Sequence, residues 1–226
     1  VSAETYGRIA AAAQDTGDAA YTGEVAVVTG ASKGGIGAAV AAELLGGGAT
    51  VVVTTSRLDS TRLGFYKDLY ARNARAGAAL WVVPANMASY ADVDALIEWI
   101  GTDTVENAGG TKKLIKNALT PTLLFPFAAP RVAGSLADAG ARAEMEMRVL
   151  LWSVERLIAG LSGIGADTDV DTHLHVVLPG SPNRGMFGGD GAYGESKAAA
   201  DRLASTTRLR SSRCRDGAGA GDVSSR

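Results

Sequence analysis

The sequence predicts an α/β fold, in which a doubly wound parallel sheet lies between two layers of helices as a three-layer α/β/α arrangement. Short apolar segments rich in β-branched residues alternate with helical segments along most of the chain. Runs that are apolar throughout, rather than at every second residue, indicate strands buried on both faces. The predicted strands are Glu24–Thr29, Ala49–Thr55, Ala79–Pro84, Thr122–Phe127 and Leu174–Leu178.

The segments between these strands have the pattern of helices that pack against a sheet. The predicted helices are Ala38–Leu45, Leu63–Ala74, Asp92–Ile100, Ala141–Leu161 and Tyr193–Leu203. Right-handed crossovers would bring the carboxyl ends of all strands to one edge of the sheet, where ligands bind in folds of this kind.

A glycine-rich turn follows the first strand, in the sequence TGASKGGIG. Gly30 comes directly after the strand, and Gly34, Gly35 and Gly37 lead into the first helix. Glycines permit a tight turn and a close backbone approach, and the free N–H groups of a helix start bind a pyrophosphate. This strand, turn and helix predict a Rossmann-like dinucleotide site.

The end of the second strand indicates which dinucleotide binds. In a site for NAD, an acid about twenty residues past the glycines accepts from the ribose 2′-hydroxyl. Counted from Gly37, that position holds Arg57, whose guanidinium suits the 2′-phosphate of NADPH, and Lys33 supplies a second cation. Asp59 is the alternative acid, although the sequence Asp-Ser-Thr-Arg also fits a helix N-cap. The sequence thus favours NADP(H).

Three residues form a candidate catalytic set. Ser181 follows the fifth strand, and Tyr193 and Lys197 follow it in the sequence YGESK. Lys197 is four residues beyond Tyr193 and therefore on the same helical face, where its ammonium can lower the tyrosine pKa and make the phenol a better proton donor. The Ser181 hydroxyl can hold a carbonyl oxygen beside that phenol.

Composition excludes several classes of function. The 226 residues are 46% hydrophobic, which suits one compact domain, and a net charge of −2 provides no general attraction for nucleic acid. Cys214 is the single cysteine, which is consistent with a reducing, cytoplasmic location. No apolar run is long enough for a membrane span. His173 and His175 alternate along a predicted strand, but no third ligand accompanies them, so no metal site is expected.

The chain divides into three predicted parts. Residues 1–22 are a lead-in that does not begin with methionine, which indicates a piece of a longer polypeptide. Residues 23–204 form the nucleotide-binding domain, and residues 205–226 are almost free of apolar residues and are predicted to be a disordered tail. The tail carries several arginines, and a basic disordered tail is a simpler interpretation than a nucleic-acid contact.

Several motifs resemble the short-chain dehydrogenase/reductase superfamily, and more closely the ketoreductase domain of bacterial and fungal type I fatty acid synthases. They are TGASKGGIG with its extra glycine, TPTLLFPFAAPR, AEMEMRVLLWSVERLI and SPNRGMFGGDGAYGESK. The resemblance covers roughly Gly23–Leu203. It implies an NADP-dependent oxidoreductase that reduces a 3-oxoacyl chain on an acyl carrier protein. It also implies that Lys197 holds the nicotinamide ribose, and that other synthase domains and a homo-oligomeric assembly are partners.

Taken together, the residues and the resemblance give one predicted cofactor site. Its members are Gly30, Ser32, Lys33, Gly34, Gly35, Ile36, Gly37, Thr55, Ser56, Arg57, Asn86, Met87, Ala128, Ala129, Tyr193 and Lys197.

Two features differ from most of the superfamily. Pro126–Ala129 replaces an Asn-Asn-Ala-Gly motif, and Ser153 stands where the next helix commonly has asparagine. A complete reductase would also carry two more strands, so the fold is expected to be truncated after the fifth strand and the helix that follows it. The alternative hypothesis is therefore a non-catalytic nucleotide-binding or structural fragment of a synthase.

Overall fold

A parallel sheet organises the computed structural model, which describes residues 3–7, 19–132, 134–135, 137, 140–166, 173–183 and 192–203. The sheet strands are β1 (Val25–Thr29), β2 (Thr50–Thr55), β3 (Ala79–Pro84), β6 (Leu123–Pro126) and β7 (His175–Val176), and a separate hairpin has β4 (Thr104–Ala108) and β5 (Thr111–Lys116). The sheet order is β3-β2-β1-β6-β7, with every neighbouring pair parallel. The predicted Rossmann-like α/β fold is confirmed.

Helices connect the strands as predicted, with one difference in detail. They are α1 (Ile36–Gly46), α2 (Ser60–Asn73), α3 (Tyr90–Gly101), α4 (Ala141–Met147), α5 (Ser153–Gly163) and the helical residues 193–203, called α6 here. The predicted single helix Ala141–Leu161 is divided by a π-helical turn at Arg148–Trp152. Such a turn adds a residue to the helical ladder, which redirects the side chains on either side of it.

Two hydrophobic clusters, one on each face of the sheet, form the core. Val28 and Val53 face α1 and α2, where they pack with Leu45. Val27 and Val52, their neighbours along the strands, face α3 and α5 on the opposite side. All these valines are fully buried. The apolar strands are therefore explained by burial on both faces, which is the physical basis of the three layers.

The hairpin β4–β5 was not predicted from the sequence. Gly109 and Gly110 both have positive φ, at 58° and 86°, which is the conformation of the tight turns that connect antiparallel strands. The Gly-Gly pair was the available signal, but most side chains around it are polar and exposed, so the segment lacks the pattern of a buried strand.

The strand β7 is shorter than predicted, and several other predictions lie outside the described residues. The Leu174–Leu178 segment pairs with β6 only at His175 and Val176. The predicted tail, the cysteine within it and most of the lead-in belong to residues that the structure does not describe. Among the residues that are described, no helix is long and apolar enough to span a membrane, and no three His, Cys, Asp or Glu side chains form a metal-binding group.

Lys116, the last residue of the hairpin, attaches the hairpin to the end of α3. Its side chain is almost fully buried, and its ammonium donates to the carbonyl oxygens of Ile100 at 3.3 Å, Thr102 at 2.7 Å and Asn117 at 2.9 Å. The same ammonium lies 4.7 Å from the centre of the Trp99 ring. Burial lowers the pKa of Lys116, and the nearby Asp103 carboxylate opposes that shift. The lysine thus satisfies carbonyls at the end of α3.

We expect Lys116→Met to lower the free energy of unfolding by about 2–3 kcal/mol, because the carbonyls lose a charged donor while the side-chain volume is kept. Urea unfolding would measure the change. Lys113→Met, at an exposed position of the same strand, is the control and should have little effect. Equal stability of the two variants would contradict this role of Lys116.

Candidate active site

The glycine turn after β1 has the geometry of a close backbone approach. Gly30 has a φ of 71°, and a Cβ atom there would lie 2.6 Å from the Ala128 nitrogen and from the Phe127 carbonyl carbon. A Cβ at Gly37 would lie 2.9 Å from the Gly30 carbonyl oxygen. Gly34 also has a positive φ, 77°, but a Cβ there would have no neighbouring atom within 4 Å. A side chain is therefore excluded by close contacts at Gly30 and Gly37, and disfavoured by the backbone conformation at Gly30 and Gly34.

The start of α1 is open to an anion. Gly35 is its N-cap residue, with no side-chain capping bond, and the first turn carries no acid. The Gly35 N–H donates to the Ser32 carbonyl at 2.9 Å, which closes the turn. Ile36, the first helical residue, is 76% exposed. The free N–H groups and the positive end of the helix dipole are the elements of a pyrophosphate site.

At the end of β2, Asp59 has the N-cap role that its sequence context favoured. Its carboxylate accepts from the Arg62 backbone N–H at 2.8 Å and forms an ion pair with the Arg62 guanidinium. The backbone hydrogen bond from Arg62 is the main cause of a lowered pKa for Asp59. Arg57 is exposed, and its carbonyl accepts from the Thr55 hydroxyl at 2.6 Å. Asp59, the alternative acceptor for a ribose hydroxyl, is therefore already bonded to Arg62 in the first turn of α2.

The end of β3 is held by a network that includes Ser153. The Ser153 hydroxyl, which is buried, donates to the Met87 carbonyl at 2.6 Å. The Asn86 side-chain oxygen accepts from the Ala88 N–H, and the Asn86 N–H donates to Asp92 at 2.8 Å. Ser153 thus fixes the segment after β3 to the end of the π-helical turn.

A cleft of about 1410 Å³ runs along the carboxyl ends of the strands. Nine of the predicted cofactor residues line it: Gly30, Ser32, Lys33, Thr55, Ser56, Asn86, Met87, Ala128 and Ala129. Gly34, Gly35, Ile36 and Gly37 complete the turn beside it, and Arg57 lies next to Ser56 but is not part of the lining. The shape and the donors fit an elongated ligand with phosphate groups.

Tyr193 and Lys197 are brought together on α6. The Lys197 ammonium lies 5.5 Å from the centre of the Tyr193 ring and donates to the Pro179 carbonyl at 3.0 Å. Lys197 is 6% exposed, and its burial lowers its pKa. A buried cation beside a phenol ring acts through less solvent than an exposed one, so its field on the phenol is stronger.

Ser181 lies two residues beyond Pro179, whose carbonyl accepts from the Lys197 ammonium. Its hydroxyl accepts from the Asn183 N–H at 3.1 Å, in a local turn. The bond from Lys197 to Pro179 brings the segment that carries Ser181 to α6. No hydrogen bond joins Ser181 to Tyr193 among the described residues, and residues 184–191 between them are not described.

Some lining residues were missed by the sequence analysis. Arg62 lines the cleft from α2, and Met145 and Val149 line it from the helical segment before Ser153. Arg62 could have been found from the Asp-Ser-Thr-Arg capping sequence. Met145 and Val149 have the same apolar spacing as residues that pack in a core, so only the tertiary structure separates the two roles.

The fold and the cleft agree with the short-chain dehydrogenase/reductase superfamily, and the comparisons with known proteins support the same family. Residues 24–124 match the family model described as short chain dehydrogenase. Over 185 residues the chain is 40% identical to the fatty acid synthase subunit alpha of Schizosaccharomyces pombe, a stretch that covers 81% of this chain and 10% of the relative. It is also 40% identical over 179 residues to the same subunit of Saccharomyces cerevisiae, covering 78% and 9%. The chain thus spans about a tenth of the length of these relatives.

Solved structures show the same fold. The L-sorbose reductase from Gluconobacter frateurii, complexed with NADPH and L-sorbose, superposes with a TM-score of 0.65 at 21% identity, covering 85% of this chain and 66% of that one. A short chain dehydrogenase from Mycobacterium smegmatis superposes with a TM-score of 0.62 at 26% identity, covering 83% and 69%.

We expect Gly30→Ala to destabilise the protein more than Gly34→Ala. Both glycines have positive φ, so each substitution costs about 1–2 kcal/mol in backbone conformation. Only at Gly30 does the new carbon meet neighbouring backbone, which adds about 1–3 kcal/mol. Chemical denaturation of the two variants would measure the difference, and equal losses would mean that the approach of Gly30 to Phe127 is not required.

Proposed function

We propose that the chain is the NADPH-dependent 3-oxoacyl-[acyl-carrier-protein] reductase domain of a type I fatty acid synthase. The observation that carries the proposal is the buried Lys197 ammonium beside the Tyr193 ring, on a sheet edge with a dinucleotide cleft. The synthase relatives support the substrate class, and the solved reductase with NADPH supports the cofactor. The acyl chain on a carrier protein, other synthase domains and further copies of the chain are the proposed partners, in the cytoplasm.

The proposed roles of the residues follow from their chemistry. A nicotinamide cofactor held in the cleft would supply the hydride that the substrate carbonyl carbon accepts. Tyr193 donates a proton to the carbonyl oxygen, and Lys197 lowers the free-energy cost of the phenolate that remains. Ser181 donates a hydrogen bond to the same oxygen and orients it. The open start of α1 binds the pyrophosphate through its N–H groups.

The choice of NADPH over NADH rests on charge at the end of β2. Lys33 and Arg62 line the cleft, and Arg57 is exposed next to it. Asp59 is bonded to Arg62 and is the N-cap of α2, so its carboxylate is not a free acceptor for a ribose hydroxyl. Three cations, Lys33, Arg62 and Arg72, and two acids, Asp59 and Asp68, line the cleft, and this balance favours a phosphate over a hydroxyl.

The test of the function is turnover of a 3-oxoacyl thioester by the protein within its synthase, followed as loss of NADPH absorbance. We expect a 3-hydroxyacyl product and dependence on NADPH. Binding of NADPH without turnover would contradict the proposed reaction and would favour the alternative, a non-catalytic nucleotide-binding part of the synthase.

We expect Tyr193→Phe to reduce turnover at least about a hundredfold, because the proton donor is lost while the ring is kept. Affinity for NADPH, measured by fluorescence titration, should change by less than about twofold. Tyr6→Phe is the control, since Tyr6 is an exposed tyrosine near the start of the chain, far from Tyr193 in sequence. Retention of more than a few per cent of turnover by the Tyr193→Phe variant would contradict the role of Tyr193.

We expect Arg57→Ala to weaken NADPH binding relative to NADH binding by about ten- to a hundredfold, the size of one lost charge-assisted hydrogen bond. The double variant with Lys33→Ala should lose more than either single variant, since both cations face one phosphate. Lys67→Ala, an exposed lysine of α2 outside the cleft lining, is the control. An unchanged ratio in the double variant would contradict this assignment, and a loss confined to Arg62→Ala would transfer the role to Arg62.

A further inference from the structure

A buried acid lies at the start of the helix that carries Tyr193 and Lys197. Glu146, in the last turn of α4, is fully buried, and its Oε2 accepts from the Ala192 backbone N–H at 2.8 Å. Its Oε1 lies 3.4 Å from the Arg142 Nε and has no hydrogen-bond partner among the described residues. A buried carboxylate is costly unless it is paired, so its placement here calls for a compensating interaction.

The Ala192 N–H is a group that the helix cannot satisfy by itself. Ala192 precedes the first helical residue, and its carbonyl accepts from the Ser196 N–H at 3.0 Å, so it is at the N-cap position. Alanine has no side-chain oxygen to cap the free N–H groups of the first turn. In a capping box, an acid at the position of Glu195 would accept from the N-cap N–H. Here the Glu195 side chain is exposed, and Glu146 accepts from the Ala192 N–H instead.

The residue after Glu146 also contacts the first turn of α6. The Ser196 hydroxyl, which is buried, lies 2.9 Å from the Met147 sulfur and 2.7 Å from the Ala192 carbonyl oxygen. Two consecutive residues of α4 therefore hold α6 at points on either side of Tyr193. Met145, just before them, lines the cleft. This end of α4 thus connects the cleft to the catalytic helix.

Arg142 extends this connection to the segment after β6. Its guanidinium faces the Glu146 carboxylate and also donates to the Arg131 carbonyl at 2.9 Å. The carboxylate is therefore near both a cation and the positive end of the α6 dipole, and these interactions together compensate for its burial.

We propose that Glu146 is a positioning residue of the reductase. By accepting from Ala192 it fixes where α6 begins, and therefore where Tyr193 and Lys197 stand relative to the cleft. It acts through the backbone and touches neither substrate nor cofactor. The inference rests on the proposed function for its effect on turnover, but the anchoring of α6 can be measured independently.

The test compares Glu146→Met with Glu146→Gln in the synthase that contains the chain. Methionine fills a similar volume without an acceptor, so this variant removes the bond to the Ala192 N–H, at some cost in stability because Ala192 and Arg142 lose a partner. We expect kcat to fall about tenfold or more in Glu146→Met, because small displacements of reacting groups are costly. The KM for NADPH should stay within about twofold, since most of the predicted cofactor residues line the cleft outside α6.

Glu146→Gln retains a side-chain oxygen for the Ala192 N–H, so its kcat should remain within about threefold of the parent value. Glu144→Met and Glu144→Gln are the matched controls, since Glu144 is an exposed acid on the same helix that pairs with Arg148. If Glu146→Met kept the parent kcat, or if Gln lowered kcat as much as Met, the proposal would be overturned.

Amide hydrogen exchange gives a readout that does not depend on turnover. In Glu146→Met, exchange should increase in residues 192–203 and stay unchanged in α1, whereas Glu144→Met should alter neither. Unchanged exchange in residues 192–203 would overturn the proposal even if activity fell. If the parent protein bound NADPH without turning over substrate, the proposed reaction would fail, and the exchange result would still decide whether Glu146 anchors α6.

Discussion

The close contact between the end of β1 and the end of β6 is the constraint on which the site depends. In the sheet order, β1 lies between β2 and β6. The chain therefore continues from β1 to β2 and β3 on one side of β1, and later returns to β6 on the opposite side. Gly30 fits there only because it lacks a side chain, and the Thr29 hydroxyl accepts from the Ala128 N–H at 3.0 Å. This is the switch point at which open α/β sheets bind ligands, and the cleft begins there.

Burial on both faces of the sheet keeps this edge in place. The valines of β1 and β2 alternate between the two core clusters, so a shift of either strand by one residue would exchange the side chains that pack in each cluster and disrupt both. The carboxyl ends of β1, β2, β3 and β6 are therefore held in a fixed register, and the residues that follow them meet at one edge of the sheet. Most of the predicted cofactor residues that line the cleft belong to the ends of these strands and to the turns that follow them, which the sheet positions.

A structural feature could be predicted from the sequence where residues close to it in the chain determine its conformation. The apolar strands, the glycine turn and the Asp59 cap each have a nearby sequence signal, and each is present in the structure. The hairpin β4–β5 had only its Gly-Gly turn as a signal, since its side chains are largely polar and solvent-exposed. Met145, Val149 and Leu150 have helical spacing in the sequence, so a continuous helix over Ala141–Leu161 was the natural prediction, and the π-helical turn within it was missed.

Glu146 had no local signal at all, because an acid in a helical segment usually faces solvent. Its partner is 46 residues further along the chain, and only the tertiary structure joins them. The same holds for Lys197, whose spacing from Tyr193 was predictable but whose bond to the Pro179 carbonyl was not. Both buried charges bond to backbone groups of a neighbouring segment and not to each other. Glu146 holds the start of α6 from α4, and Lys197 holds its second turn from the segment after β7. Since charge-assisted bonds are stronger than neutral ones and depend on direction, these two bonds restrict both the position and the rotation of α6. Under the proposed function, that restriction is what would allow α6 to present Tyr193 and Lys197 to one ligand.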